Sequence, residues 1–211
     1  MNIYNVIILD ESGSMSSIYK ETLTGMNEVL SGIRKTQEEF PEQRNFVTIV
    51  SFEGNGIGGV KTRRDRVPIE AIEPFTEHDY RPGGCTPLYD AMGKTMNEVE
   101  GLVHAEDKVM VTVITDGYEN ASTEYNGRVI KNMVDRLRKK GWTLSYIGAN
   151  QDAVEVARDL HIANALNYAA TPEGMEELNV RFSRAHKRAC VVWSQCSQAA
   201  DLDGLYDEKE S

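Results

Sequence analysis

Two stretches of this chain are apolar almost without a break: Ile3–Leu9 and Val109–Thr115. A strand with one wet face alternates apolar and polar residues, whereas a strand covered on both faces has no need to. Runs of this kind call for helices above and below a sheet, which restricts the chain to an α/β architecture. Two more β-rich runs, Phe46–Phe52 and Trp142–Ile147, complete the set.

Helical spacing fills the intervals. Ile18–Thr36 carries Ile18, Met26, Val29, Leu30 and Ile33, and Pro87–Val103 carries Leu88, Met92, Met96, Val99 and Val103. Gly127–Lys140 carries Ile130, Met133, Val134 and Leu137, with Gly141 as its stop. The alternation predicts a doubly wound, mostly parallel central sheet with helices on both faces. The sequence GNGIGG, Gly54–Gly59, joins Phe46–Phe52 to an extended run at Val60–Ile69 and reads as a hairpin turn. That makes the second run an antiparallel edge strand. The G-x-G-x-G string in the turn is not a phosphate loop, because no helix pattern follows to supply an N-terminus.

After Ile147, the sequence predicts a turn and a short helix with Asp152 near its start, then an edge strand in IANALNY. Thr171-Pro172 reads as an N-cap followed by proline at the first helical position. Met175, Leu178, Phe182, Ala185, Ala189, Val192 and Cys196 then share one face, so a helix over about 172–198 packs on the sheet. The expectation is one domain over residues 1–200 and a loose, acidic tail over 201–211.

With 211 residues, 40% of them hydrophobic, the chain has enough apolar surface for one core. Its net charge of −10, from 33 acids and 23 bases, argues against nucleic acid and suits cations or basic partners. The three cysteines, Cys85, Cys190 and Cys196, form neither a disulfide framework nor a zinc pattern with His186, and read as small buried thiols. No basic segment precedes the first apolar run, and that run is too short to span a bilayer. A cytoplasmic protein with no membrane partner is expected.

Both buried runs end in an acid, Asp10 and Asp116. In open α/β sheets, functional groups collect beyond the carboxyl ends of the strands. If these two strands are neighbours, two carboxylates converge and repel, and a bound cation is the simplest remedy. Oxygen donors are at hand. Ser12 and Ser14 follow Asp10 at alternate positions, where an extended loop turns both hydroxyls the same way, while Ser16 belongs to the start of the first helix. Thr86, in RPGGCTPLYDAM, stands between Gly83-Gly84 and Pro87 as the natural cap of the next helix. An all-oxygen set favours a hard cation, Mg²⁺ first, with Mn²⁺ and Ca²⁺ as rivals. By alternation Glu11 points away from Ser12 and Ser14, into solvent. Asp90, one turn after Thr86, either supports it or complements the helix dipole.

Asp10-Glu11-Ser12-Gly13-Ser14, then Thr86, then Asp116-Gly117, resembles the metal-ion-dependent adhesion site of von Willebrand factor A-type domains. The family pattern is D-x-S-x-S, a distant Thr and a distant Asp, here set in T-P-L-Y-D-A and I-T-D-G. The resemblance spans roughly residues 1–168 and is closest to the intracellular, single-domain bacterial and phage type. It implies a vWA/Rossmann-like fold in which Ser12, Ser14 and Thr86 touch the metal and Asp10 and Asp116 surround it, often through water. Neutral hydroxyls leave much of a cation's charge unquenched, so an open position can take a carboxylate. The function implied is a non-enzymatic binding module that captures a Glu or Asp of a partner protein. By the same analogy the last helix, Thr171–Ser197, is where motion is expected. Two alternatives stand beside it. One is an assembly subunit acting through the sheet edge or the C-terminal helix. The other is a metal-dependent phosphohydrolase using Asp10, against which the second acid of a D-x-D pattern is replaced by Ser12 and no Ser–His–Asp arrangement is evident.

Overall fold

The apolar run at the N-terminus forms a central strand, β1 (Asn2–Asp10), pairing in parallel on one side with β2 (Arg44–Phe52) and on the other with β4 (Lys108–Thr115). A computed structural model describes residues 1–54, 59–149, 153–169, 171–195 and 202–207. Its sheet has six strands in the order β3-β2-β1-β4-β5-β6, completed by β3 (Val60–Pro68), β5 (Thr143–Ala149) and β6 (Asn164–Tyr168). β3 is the antiparallel edge strand; the other pairings are parallel. The helices are α1 (Tyr19–Glu39), α2 (Leu88–Glu100), α3 (Gly127–Lys139), α4 (Ala153–Asp159) and α5 (Pro172–Gln195). The architecture is therefore the doubly wound α/β fold that the alternation predicts.

Side chains along β1 divide between two cores. Ile3, Ile7 and Leu9 join Met26, Leu30 and Ile33 of α1 and Phe182 and Ala189 of α5. Val6 and Ile8 join Leu88 and Met92 of α2 and Ile130 and Leu137 of α3. This is why β1 needs apolar residues at consecutive positions. Gly25 and Gly32 let α1 and α5 approach closely, since a Cβ at either would collide with Met175 or Ser183. α5 begins as its cap signal predicts, with the Thr171 hydroxyl accepting the Gly174 N–H at 3.1 Å.

β3 carries Lys61, Arg63, Arg64 and Arg66, and each is paired with an acid. Charge on an edge strand protects it against pairing with another chain. The tail differs from expectation. Leu202, Leu205 and Tyr206 are buried in the core under α5, with Arg188 and Arg181 of α5 donating to the carbonyls of Leu205 at 2.9 Å and Tyr206 at 3.0 Å. Three apolar side chains and these donors outweigh the acidic composition over residues 202–207. The middle of the glycine turn (residues 55–58), Asp152 and Cys196 lie outside the described residues. No described helix is long and apolar enough to cross a membrane.

Candidate functional site

The strand order reverses between β1 and β4, so the crevice at their carboxyl ends is the topological switch point. Leu9 faces Ile114 in the register, which sets Asp10 beside Thr115 at the sheet rim. Asp10 is fully buried. One carboxylate oxygen accepts the Ser12 N–H at 2.7 Å and the other accepts the Thr115 hydroxyl at 2.5 Å. Burial pushes its pKa up to about 6, against the pull of these hydrogen bonds and with a further push from Asp116. Asp116 is also raised, by burial, although the Ser14 hydroxyl donates to it at 2.6 Å. Neither carboxylate has a Lys, Arg or His partner among the described residues.

The hydroxyls gather between these acids. Ser12 Oγ and Ser14 Oγ lie 3.1 Å apart. The loop is not extended throughout, as alternation supposes: it enters a 3-10 turn at Gly13–Ile18, and the turn brings the two serines together. Thr86 Oγ1 and Ser14 Oγ border one point, at 3.4 and 3.7 Å from where a Cβ on Gly117 would stand. Glycine at 117 thus leaves room on the face where the hydroxyls and Asp116 converge.

Thr86 reaches the rim differently from expectation. It does not cap α2, which starts at Leu88 after Pro87. Asn120 holds it instead: the Thr86 N–H donates to Asn120 Oδ1 at 2.8 Å, and the Asn120 N–H donates to the Thr86 carbonyl at 3.1 Å. The first turn of α2 is satisfied from the same loop, with the Tyr89 N–H on Glu119 at 2.8 Å and the Asp90 N–H on the Ser122 hydroxyl at 2.9 Å. In return the Asp90 carboxylate accepts the N–H groups of Thr123, Glu124 and Tyr125 at 2.8–2.9 Å. Burial pushes Asp90 up, but these donors and Lys94 outweigh it and hold the group below its ordinary value. Asp90 anchors the loop from 119 to 125; it neither supports the Thr86 hydroxyl nor serves merely as a dipole complement.

Glu11 is the largest departure. Alternation sends it to solvent, yet it is 1% exposed. The Arg63 guanidinium donates to both its oxygens, at 2.9 and 2.7 Å, and the Arg81 N–H donates to it as well. Nothing in the local pattern announces Arg63, which lies across the hairpin on β3. Thr115, Asn120 and Tyr80, whose hydroxyl donates to the Asp10 carbonyl at 3.0 Å, carry no local sequence signal either. Cys85 is exposed, contrary to the buried-thiol reading, while Cys190 is buried as expected. Cys190 and His186 are 3.9 Å apart on one helix, in a hydrogen-bonded core cluster. No group of three or more His, Cys, Asp or Glu side chains suited to a metal occurs among the described residues. The rim cluster is of another kind, two carboxylates and three hydroxyls, and its donor chemistry fits a hard cation.

No protein-family model matches the chain, and no curated protein is significantly similar to it. Solved structures are similar. Proximal thread matrix protein 1 from the mussel byssus superposes with a TM-score of 0.61 at 15% identity, over 90% of this chain and 46% of that one. A structure of the same mussel protein with a zinc-occupied MIDAS motif gives 0.58 at 14%. The SpRpn10 VWA domain gives 0.61 at 10%, over 84% of this chain and 93% of that one. The pilus adhesin SpaC from Lactobacillus rhamnosus GG gives 0.61 at 11%, over 89% and 30%. The chain spans about half the length of the mussel chains it matches. The shared property is the fold, that of von Willebrand factor A-type domains.

Proposed function

We propose that this protein is a cation-dependent binding module. Ser12, Ser14 and Thr86 hold a divalent cation, Mg²⁺ first, with Asp10 and Asp116 around it, and the cation captures an Asp or Glu of a partner protein. The observation that carries this reading is the pair of carboxylates at adjacent strand ends, both raised by burial and neither paired with a base. A cation reverses that penalty, because opposite charge favours the ionised form. The three neutral hydroxyls fit the other half of the reading, since they supply oxygen without cancelling charge. The zinc-occupied MIDAS of a structural neighbour lends support by analogy.

The hydrolase alternative is weaker on geometry. Both Asp10 oxygens are engaged, by Ser12 N–H and the Thr115 hydroxyl, and the side chain is buried, so it is not presented for attack on a phosphorus centre. A calorimetric titration with Mg²⁺ and Mn²⁺ tests the site: the expected result is one saturable equivalent in the wild type, lost in Asp116→Ala. Capture on an array of immobilised Glu- and Asp-containing peptides, in Mg²⁺ and in EDTA, tests the partner chemistry. Peptide capture indifferent to EDTA and to Asp116→Ala would favour the assembly-subunit reading.

A further inference from the structure

Glu11 occupies the unspecified position between Asp10 and Ser12, yet it is among the most constrained side chains at the rim. Besides Arg63 and the Arg81 N–H, its own backbone is engaged on both sides. The Glu11 N–H donates to the Phe52 carbonyl at 2.8 Å, and the Glu11 carbonyl accepts the Gly83 N–H at 2.8 Å. Arg63 is fixed in turn, with Nε donating to the Ser51 hydroxyl at 2.8 Å. One residue therefore joins the end of β2, the edge strand β3 and the loop over residues 80–86. That loop delivers Thr86 to the rim. Its next contact with the serine loop is the Gly13 N–H on the Gly84 carbonyl, at 3.0 Å.

A buried ion pair is a poor source of net stability, because desolvation of both charges offsets their attraction. A planar guanidinium tied at two of its nitrogens does fix geometry: Arg63 Nη2 spans both Glu11 oxygens while Nε holds the Ser51 hydroxyl. We propose that Glu11 and Arg63 are positioning residues of the cation site. Their pairing sets the Thr86 loop against the Ser12–Ser14 loop. The inference rests on the reading of the rim as a cation centre. Neither side chain touches the cation: Glu11 acts through the Arg81 N–H that it accepts, and Arg63 acts through Glu11 and Ser51.

Three variants separate position from charge. Glu11→Gln removes the acid, Arg63→Met removes the base, and Arg63→Lys keeps the charge but loses the second nitrogen that holds Ser51. If charge alone mattered, Arg63→Met would leave Glu11 unpaired near the site and tighten cation binding. Positioning predicts the opposite: Mn²⁺ affinity falls in Glu11→Gln and Arg63→Met, by about 10- to 100-fold, as for other groups that orient metal ligands. Arg63→Lys falls in between. The second readout needs no cation. In EDTA, hydrogen exchange at the Arg81 and Gly83 amides speeds up in the variants, while amides of β4 and α3 keep their protection and report an intact fold. Should one variant fail to fold, Arg63→Lys carries the test alone. A wild type that takes up no Mn²⁺ overturns the cation reading and this inference with it. A wild type that binds, with variants that bind equally well or more tightly, overturns the positioning inference alone.

Discussion

Strand β1 carries two buried polar constellations, five residues apart, that solve opposite problems. At its carboxyl end stand Asp10 and its hydroxyl neighbours. In its middle, Asn5 faces α1 and α5. Asn5 Nδ2 donates to Asn45 Oδ1 at 3.0 Å, and its Oδ1 lies 2.9 Å from His186 Nε2. Asn45 N–H donates to Gln37 Oε1 at 2.7 Å, and Thr36 Oγ1 lies 3.3 Å from His186 Nδ1. Every group in that inner cluster is neutral, because burial lowers the His186 pKa to about 4. The same physical cause, desolvation, raises Asp10 to about 6. The inner cluster meets its needs from within, by joining β1, β2, α1 and α5 in one register. The rim leaves two carboxylates without a base among the described residues, the need that the proposed cation would meet. A buried polar group thus reads as scaffold or as site according to whether its partners are already in the chain.

The comparison breaks most visibly at Asn5. Asn5→Ala strips partners from two buried groups, Asn45 and His186, and should cost about 2–5 kcal/mol in urea unfolding. Mn²⁺ affinity measured in the folded protein should stay as in the wild type. A loss of cation affinity without loss of stability would mean the two constellations are one.

The next effect belongs to the rim. Saturating Mg²⁺, at about 100 times its dissociation constant, should stabilise the wild type by about 3 kcal/mol. Asn5→Ala should gain the same increment on its lower baseline, and Asp116→Ala should gain none. Thermal unfolding with and without EDTA reads this directly. Lowering the pH below about 6 should shrink the increment, since Asp10 must then lose a proton before the cation binds, at a cost of up to tenfold in affinity per pH unit.

The rim was legible because its signals are local: two continuous apolar runs, each ending in an acid, and hydroxyls within four residues of the first. The switch point then follows from strand order. What escaped the sequence depends on contacts between distant segments. The alternation rule misplaced Glu11 because it assumes an extended chain, while the backbone turns at Gly13 and Arg63 waits on another strand. The capping rule misplaced Thr86 because the groups that satisfy α2 come from Glu119 and Ser122, beyond β4. Asn5 lies inside a run that patterning treats as apolar, and its partner His186 comes from α5, at the far end of the chain. The acidic tail hid Leu202, Leu205 and Tyr206, because average composition does not register three apolar residues that find a groove.

The smallest expected effect is the most discriminating, because two opposed slopes nearly cancel in it. In the cation-free protein, acidification from pH 6.5 protonates His186 in the unfolded chain, while the folded chain refuses the proton until about pH 4. Stability is lost across that window, by about 3 kcal/mol in total. Asp10 works the other way. The folded chain takes its proton at about 6 and the unfolded chain only near 3.8, so stability rises as pH falls between those values, again by about 3 kcal/mol. Asp116, raised as well, adds to the same side, while Asp79 and Asp90, held low in the fold, lose their contribution only below the window. Wild-type stability should therefore change little between pH 6 and pH 4 in EDTA. His186→Gln removes the falling slope, and its urea midpoint should climb on acidification. Asp10→Asn removes most of the rising slope, and its midpoint should drop. Parallel curves for the two variants would show that burial does not act on the two constellations with opposite sign, and the distinction between scaffold and site on β1 would go with it.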